Sequence, residues 1–208
     1  MKQQQRSEET RAHILAAAQA CFAAYGYEAA GVATICARAG VSKGAFYHHF
    51  PTKQALFLEL LNRWLADLDA EMARIRGGAG TVPEALLGIA GVAGHIFEAG
   101  RGQLPLFLEF WTQAAYDPEI WQATIEPYRR FRSYFAALIQ AGIDEGSLAP
   151  VDPTLAAQVF FSLATGLVVQ GMLDPEGADW ARVAREGVER FLRAFARDGG
   201  RLATDERR

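Results

Sequence analysis

Apolar residues recur three and four positions apart along almost the whole chain, and no segment shows the strict alternation of β-branched residues that a half-buried strand requires. The pattern predicts an all-helical protein. In ETRAHILAAAQACFAAYG the residues Ile14, Ala18, Cys21, Phe22 and Tyr25 form one face, Ser7 is available as N-cap, Glu8 and Glu9 suit the positive end of the dipole, and Gly26 closes the helix. Val32, Ile35, Cys36 and Ala39 give a short second stripe ended by Gly40, after which Ser42 opens a third helix as its cap. Val41 before that cap and Phe46 after it have the spacing of a hydrophobic staple, which sets the angle between the two helices.

Pro51 then breaks the third helix, and Thr52 caps a long fourth with Leu56, Leu60, Trp64, Leu68 and Met72 on one stripe. GGAGT, residues 77–81, reads as a loop. Further helices are expected over about 83–99, 104–116 and 118–145, with Pro127 breaking or kinking the last of these. Asp152 with Pro153 starts another, running to about Leu173, and Asp179 caps a final one ending near Ala196, before the polar tail GGRLATDERR.

The two short helices joined by the AGVS turn form a helix-turn-helix pattern. At about 100° per residue, Phe46 and Phe50 share the inward side of GVSKGAFYHHF, while Gly44, Tyr47 and His48 point away from it. So many polar tips on so short a helix imply a contact surface. Lys43 lies at the mouth of the helix, where a flexible ammonium and the free N–H groups of the first turn can both meet a phosphate. Gly44 costs about 1 kcal/mol against alanine inside a helix, a loss that makes sense where the backbone must approach a partner closely.

Charge supports an anionic partner for this end of the chain. The 208 residues carry a net charge of −3, yet up to Ala55 the bases Lys2, Arg6, Arg11, Arg38, Lys43 and Lys53 outnumber the acids Glu8, Glu9 and Glu28. A small basic head precedes a larger acidic body, an asymmetry that separates this chain from architectural DNA proteins, which are usually basic throughout. No basic start leads into an apolar run, and every hydrophobic stretch reads as cut by charge or glycine short of a membrane span, so a cytoplasmic location is expected. Cys21 and Cys36, the only cysteines, fall inside helical stripes and read as small core residues. No nucleophile elbow, phosphate-binding glycine loop or zinc-protease motif is present, and no enzymatic activity or cofactor is expected.

The run GYEAAGVATICARAGVSKGAFYHHFPTKQALF resembles the DNA-binding domain of the tetracycline-repressor (TetR) family: the glycine and aromatic after the first helix, A-x-A-G-V-S at the turn, K-G-x-x-Y-x-H-F in the third helix, and a lysine opening the fourth. The resemblance implies a homodimeric transcription regulator, usually a repressor, with a DNA-binding domain over residues 1–52 and a ligand-binding and dimerisation domain over 53–208. By position, Ser42, Lys43, Gly44, Ala45, Tyr47, His48 and Lys53 match the family's DNA-facing set. Tyr47 and Lys53 suit phosphates, Lys43 either a phosphate or the O6/N7 edge of guanine, and His48 a base edge. One departure stands out: where the family often has threonines or serines opening the second helix and an arginine just inside it, this chain has Ala30, Gly31 and Ala33. Anchoring there is left to backbone N–H groups and Thr34.

EFWTQAAYDPEIWQATIEPYRRFR together with GLVVQGMLDP is similar, more loosely, to the C-terminal domain of the choline-responsive BetI-type branch. The middle of the chain is crowded with aromatic residues that either fill a core or line a pocket, and Trp64, Phe97, Phe107, Phe110, Trp111, Gln113, Tyr128 and Phe131 are the candidate contacts for a small-molecule effector. His95 and Glu98 have a spacing that allows shared metal ligation, but no further ligands accompany them, and no metal site is expected. Residues 153–173 and 180–196 are apolar on more than one side. A helix pair apolar on two sides calls for a second copy, closing a four-helix bundle across a two-fold axis, and a homodimer through these residues is expected; the alternative is that the surplus is buried within one chain.

Overall fold

The computed structural model describes residues 2–99 and 104–195, apart from the side chains of 2–3, 92–99, 104–107 and 172; Ala196 and the polar tail lie outside the described residues. Among those residues all regular structure is helical, as the periodicity predicts. The order is α1 (Lys2–Ala29), α2 (Val32–Ala39), α3 (Lys43–His49), α4 (Lys53–Gly78), α5 (Val82–Ala99), α6 (Leu104–Ala114), α7 (Pro118–Asp144), α8 (Pro153–Leu173) and α9 (Trp180–Ala194). The chain forms two compact units, Met1–Asp69 with Gly100–Glu126, and Ala70–Ala99 with Pro127–Arg208.

In the first unit α1 packs against α2, α3 and α6. It starts at Lys2 rather than after Ser7, because the stretch KQQQR holds good helix formers and no breaker, so Ser7 lies inside the helix and is not its cap. Ile14, Ala18, Cys21 and Phe22 are buried as expected, together with Leu15 and Ala17. Tyr25 is not: it is 58% exposed, and Tyr27 packs inward in its place. The cause is Gly26, whose φ of 75° and ψ of 169° interrupt the helix and re-aim the chain. Lys53 fastens this bend from α4: its Nζ donates to the Tyr27 carbonyl at 2.7 Å and the Glu28 carbonyl at 3.4 Å, and lies 4.2 Å from the centre of the Tyr27 ring.

Gly40, left-handed at φ 68°, ends α2, and the Val41 N–H donates to the Cys36 carbonyl at 3.1 Å. The Ser42 hydroxyl accepts from the Ala45 N–H at 3.1 Å and caps α3, and Thr52 caps α4 through the Ala55 N–H at 2.9 Å. Both cysteines are free and buried, and burial pushes the Cys36 thiol up.

In the second unit α5 packs on α8 and α9, and α8 on α9. The α9 stripe Ala184, Val188 and Leu192 is buried at four-residue spacing, and Phe160 of α8 lies between Phe135 of α7 and Phe191 of α9, with ring centres 5.0 and 5.7 Å away. Asp152 and Asp179 cap α8 and α9 as expected. The helix carrying Pro127 is not broken there, since α7 runs on to Asp144.

One sequence expectation fails in α8. No charge interrupts Pro153–Leu173, and Pro153–Gly171 is long and apolar enough to cross a membrane by length and composition, with a mean hydropathy of 1.4 and only 28% of that window buried. Leu155, Val159 and Leu173 are exposed there, at spacings that place them on one face with Ser162 and Gln170.

The backbone at Gly26 occupies a region open in practice only to glycine. Gly26→Ala is expected to destabilise the protein by about 1–3 kcal/mol; an unchanged urea midpoint would show that the bend is not a constraint.

Candidate functional site

Seven residues make only two turns, too few for α3 to hold its shape alone. Phe46 and Phe50 anchor it, at 0% and 3% exposure, and the Phe50 N–H closes the last turn on the Phe46 carbonyl at 2.8 Å. Every other tip on the helix is freed by that anchoring. Lys43, Gly44, Tyr47 and His48 are exposed, as expected, with Ala45 half-buried. Lys43 makes no ion pair among the described residues, and the exposed Tyr47 has its ring edge-on against Phe46 at 5.3 Å.

Gly44 has no reason inside the fold to be glycine. A Cβ built there would meet only the Ser42 hydroxyl, at 3.7 Å, an ordinary contact. Thr34 is exposed on α2, whose N-cap Gly31 offers no side-chain acceptor to the first-turn N–H groups. The Ser42 hydroxyl oxygen is engaged as a cap but retains its own proton to donate. Lys53 differs from the others, because its ammonium is already bonded to two carbonyls of α1 and has one donor left.

Beside α3 lies a groove of about 670 Å³, open to solvent, formed by Gln4, Arg6, Ser7 and Thr10 of α1 with Ala45, His48 and His49 of α3. Of its residues the sequence reading names only Ala45 and His48 as DNA-facing; Gln4 and Arg6 were left outside α1 by starting that helix at Ser7. His49 is held below the ordinary imidazole range, by burial first and then by the neighbouring His48 and Arg11. Arg11 itself is engaged: it pairs with Glu59 at 2.9 Å and lies over the Phe50 ring at 5.1 Å.

The candidate effector contacts fall in both units. Trp64 is half-buried on α4; Phe110 is 2% exposed and stacks on Phe57 at 4.2 Å; Trp111 is 40% exposed; Gln113 donates to the Glu109 carboxylate at 3.0 Å. These four belong to the first unit. In the second unit, Tyr128 meets Phe161 edge-on at 5.2 Å and Phe131 is buried, under Arg130 at 5.2 Å. The side chains of Phe97 and Phe107, and of His95 and Glu98, lie outside the described residues. The second unit holds one group that the sequence reading missed. The Tyr134 hydroxyl is buried without a hydrogen-bond partner among the described residues, and burial raises its pKa against the opposing pull of Arg76. Its one sequence signal is its place among Tyr128, Phe131 and Phe135 on α7, which a plain core residue shares.

The chain is similar to known bacterial transcriptional regulators. The profile of bacterial regulatory proteins of the tetR family matches residues 14–60, and that of the C-terminal domain of BetI-type transcriptional repressors matches residues 97–197. The HTH-type transcriptional regulator UidR of Escherichia coli (strain K12) is 25% identical over 185 residues, 87% of this chain and 89% of that protein. The fold is shared with a transcriptional regulator from Saccharomonospora viridis in complex with choline (TM-score 0.76, 22% identity, 89% of this chain and 96% of that one). It is shared equally with FadR from Bacillus subtilis in complex with stearoyl-CoA (TM-score 0.78, 20% identity, 86% of this chain and 96% of that one).

A lowered imidazole pKa favours the unfolded chain as pH falls, since below about 6.5 the unfolded histidine takes up a proton that folded His49 resists. The stability difference is absent well above that value and grows as pH drops toward the folded pKa. His49→Gln is therefore expected to lose less stability than the parent between pH 7 and pH 5 in urea titrations; parallel losses would remove His49 from the acid response.

Proposed function

The chain belongs to the tetR family of bacterial regulatory proteins, and from that premise we propose that it is a cytoplasmic repressor that binds a palindromic DNA operator as a homodimer and is released by a small molecule. The observation that carries this reading is the exposed polar face of α3, mounted on two buried phenylalanines and followed from Lys43 through Gly44 to Tyr47 and His48. Each subunit inserts that face into a major groove. Lys43 and His48 reach base edges or phosphates, Tyr47 and the remaining Lys53 donor hold phosphates, and Thr34 with the uncapped N–H groups of α2 anchors the flank. Ser42, Gly44 and Ala45 keep the first turn of α3 slim enough for close approach. The protein works by binding, with no catalysed reaction and no cofactor.

Residues 1–52, joined by Lys53 at the boundary, carry the DNA contacts, and residues 53–208 carry effector binding and dimerisation. The exposed Leu155, Val159 and Leu173 and the partly exposed Phe191 support pairing of α8 and α9 with their symmetry mates, through residues 153–173 and 180–196. An apolar stripe in a regulator of this family is better covered by a second copy than by lipid. Dimerisation in turn makes the operator a near palindrome, its half-sites matched to the spacing of the two α3 helices.

Effector binding is supported by the mixture of aromatic residues and a few polar groups among Trp64, Phe97, Phe107, Phe110, Trp111, Gln113, Tyr128 and Phe131, and by the buried Tyr134 hydroxyl, which has no partner among the described residues. An unpaired buried hydroxyl costs about 1–3 kcal/mol, a cost that a bound hydrogen-bond acceptor removes. The structural neighbours were crystallised with ligands as unlike as choline and stearoyl-CoA, so the shared fold leaves the effector's chemistry open.

Lys43→Ala and Tyr47→Phe are expected to weaken binding to a duplex selected by the protein from a random library, by about tenfold or more for a lost charged contact, with the dimer intact in sedimentation. Gly44→Ala separates folding from function: it stabilises the fold by about 0.5–1 kcal/mol yet weakens the same complex. Unchanged affinity in all three variants overturns the assignment of α3. For the effector, Tyr134→Phe is expected to leave the free protein as stable as the parent, or more so by up to about 1–2 kcal/mol, and to reduce the thermal shift given by any compound that releases the parent from DNA; an undiminished shift removes Tyr134 from the site.

A further inference from the structure

The groove beside α3 has no role in the arrangement described so far, and four of its seven residues precede residue 14, where the family profile begins. Its chemistry is one-sided. It presents a guanidinium, two imidazoles, an amide and two hydroxyls, of which that of Thr10 already donates to the Arg6 carbonyl at 2.8 Å, and no carboxylate; Glu8 and Glu9 are on the same helix but do not line it. Arg6 makes no ion pair among the described residues, whereas Arg11, one turn further along α1, is held by Glu59. Arg6 therefore stands as an exposed, uncommitted cation, with Ser7 and Gln4 as hydrogen-bond donors next to it. From α3 it is lined by Ala45, His48 and His49, and His48 is a member of the exposed α3 face. A solvent-open trough of donors continuous with a surface that reads base edges suits a linear polyanion running past it better than an enclosed metabolite.

We propose that this groove seats a backbone phosphate of the operator on the flank of the bases met by α3, with Arg6 supplying the charge and Gln4 and Ser7 the hydrogen bonds. The first three turns of α1 are thereby a second arm of the DNA interface, set at a fixed distance from α3 by the packing of the two helices. The proposal rests on the reading of the chain as a DNA-binding regulator. It adds one charged phosphate contact per subunit, which strengthens binding without choosing a sequence.

The test uses the full-length protein and the duplex that it selects from a random library, with affinity measured across a series of salt concentrations. Arg6→Gln is expected to weaken binding about three- to tenfold at moderate salt and to lower the slope of log K against log salt by about 0.9 for each subunit, with Arg6→Lys restoring most of the slope. Duplexes carrying single neutral methylphosphonates along the flanks should reveal one position in each half-site that weakens the parent and leaves Arg6→Gln unaffected. Far-UV circular dichroism guards against misfolding of the first helix. An unchanged slope in folded Arg6→Gln, or a methylphosphonate effect equal in parent and variant, overturns the proposal while leaving the α3 reading intact. A parent that selects no duplex overturns both. If instead inorganic phosphate alone protects the parent from thermal unfolding and Arg6→Gln abolishes that protection without altering DNA binding, the groove is a small-anion site and the proposal fails.

Discussion

Phe57 is the point on which the first unit turns. It is fully buried, and three other rings meet it: Phe22 edge-on at 5.4 Å, Tyr27 at 4.5 Å and Phe110 at 4.2 Å. Those rings come from α1, from the bend after Gly26 and from α6, while Phe57 itself belongs to α4. Burying a phenylalanine contributes about 1.5–3 kcal/mol, and each ring pair adds about 0.5–1.5 kcal/mol. Gln54, one turn earlier on α4, donates to Asp117 at 3.2 Å and Glu119 at 3.0 Å, so the same stretch of α4 is held by a polar clasp as well. α3 is anchored by Phe46 and Phe50 and packs on α1 and α2, and α1 is held in turn by this cluster.

That arrangement supplies a physical route for control. The helix-turn-helix and α6 share one compact unit, with Phe110 of α6 packed directly on Phe57. Packed aromatic cores accommodate displacement by shifting between alternative packings rather than by deforming continuously. An effector that favours a different position of α6 must therefore move α4 or break the cluster. In the regulator proposed above, that displacement is the route by which an effector alters how α1 and α3 meet DNA. Only the difference in effector affinity between the two packings can drive the change, and a coupling of about 1–3 kcal/mol corresponds to a 5- to 150-fold change in DNA affinity.

Legibility in the sequence followed the physics of each signal. Periodicity and capping gave the nine described helices and the inward pair Phe46 and Phe50, because local hydrogen bonding and a two-sided solvent environment decide those features. Ser42, Thr52, Asp152 and Asp179 were recognisable as caps for the same reason. The start of α1 was not, because a serine followed by two glutamates looks like a cap wherever it occurs, and nothing in KQQQR says whether a helix is already under way. Tyr25 and Tyr27 exchanged places since Gly26 resets the direction of the chain by an amount that no helical wheel contains. Lys53 was legible as a cation opening α4 but not as a partner of two carbonyls twenty-five and twenty-six residues away. The groove and the Tyr134 hydroxyl depend on tertiary juxtaposition, which spacing along the chain does not encode.

The shortness of α3 is itself part of the design logic. A two-turn helix has almost no stability of its own, so its exposed residues are free of the need to stabilise it and can be chosen for contact. Gly44 illustrates the freedom, being unfavourable in a helix and unforced by any neighbour. The same dependence gives rigidity: capped by Ser42 at one end, tied by Phe50 at the other and pinned through Phe46 between them, α3 has no independent way to reorient. A surface fixed in this way loses little conformational entropy when it docks, which favours affinity from few contacts. It also means that α3 changes its presentation together with α1 and α2, on which it packs, and the cluster around Phe57 bears on it through α1.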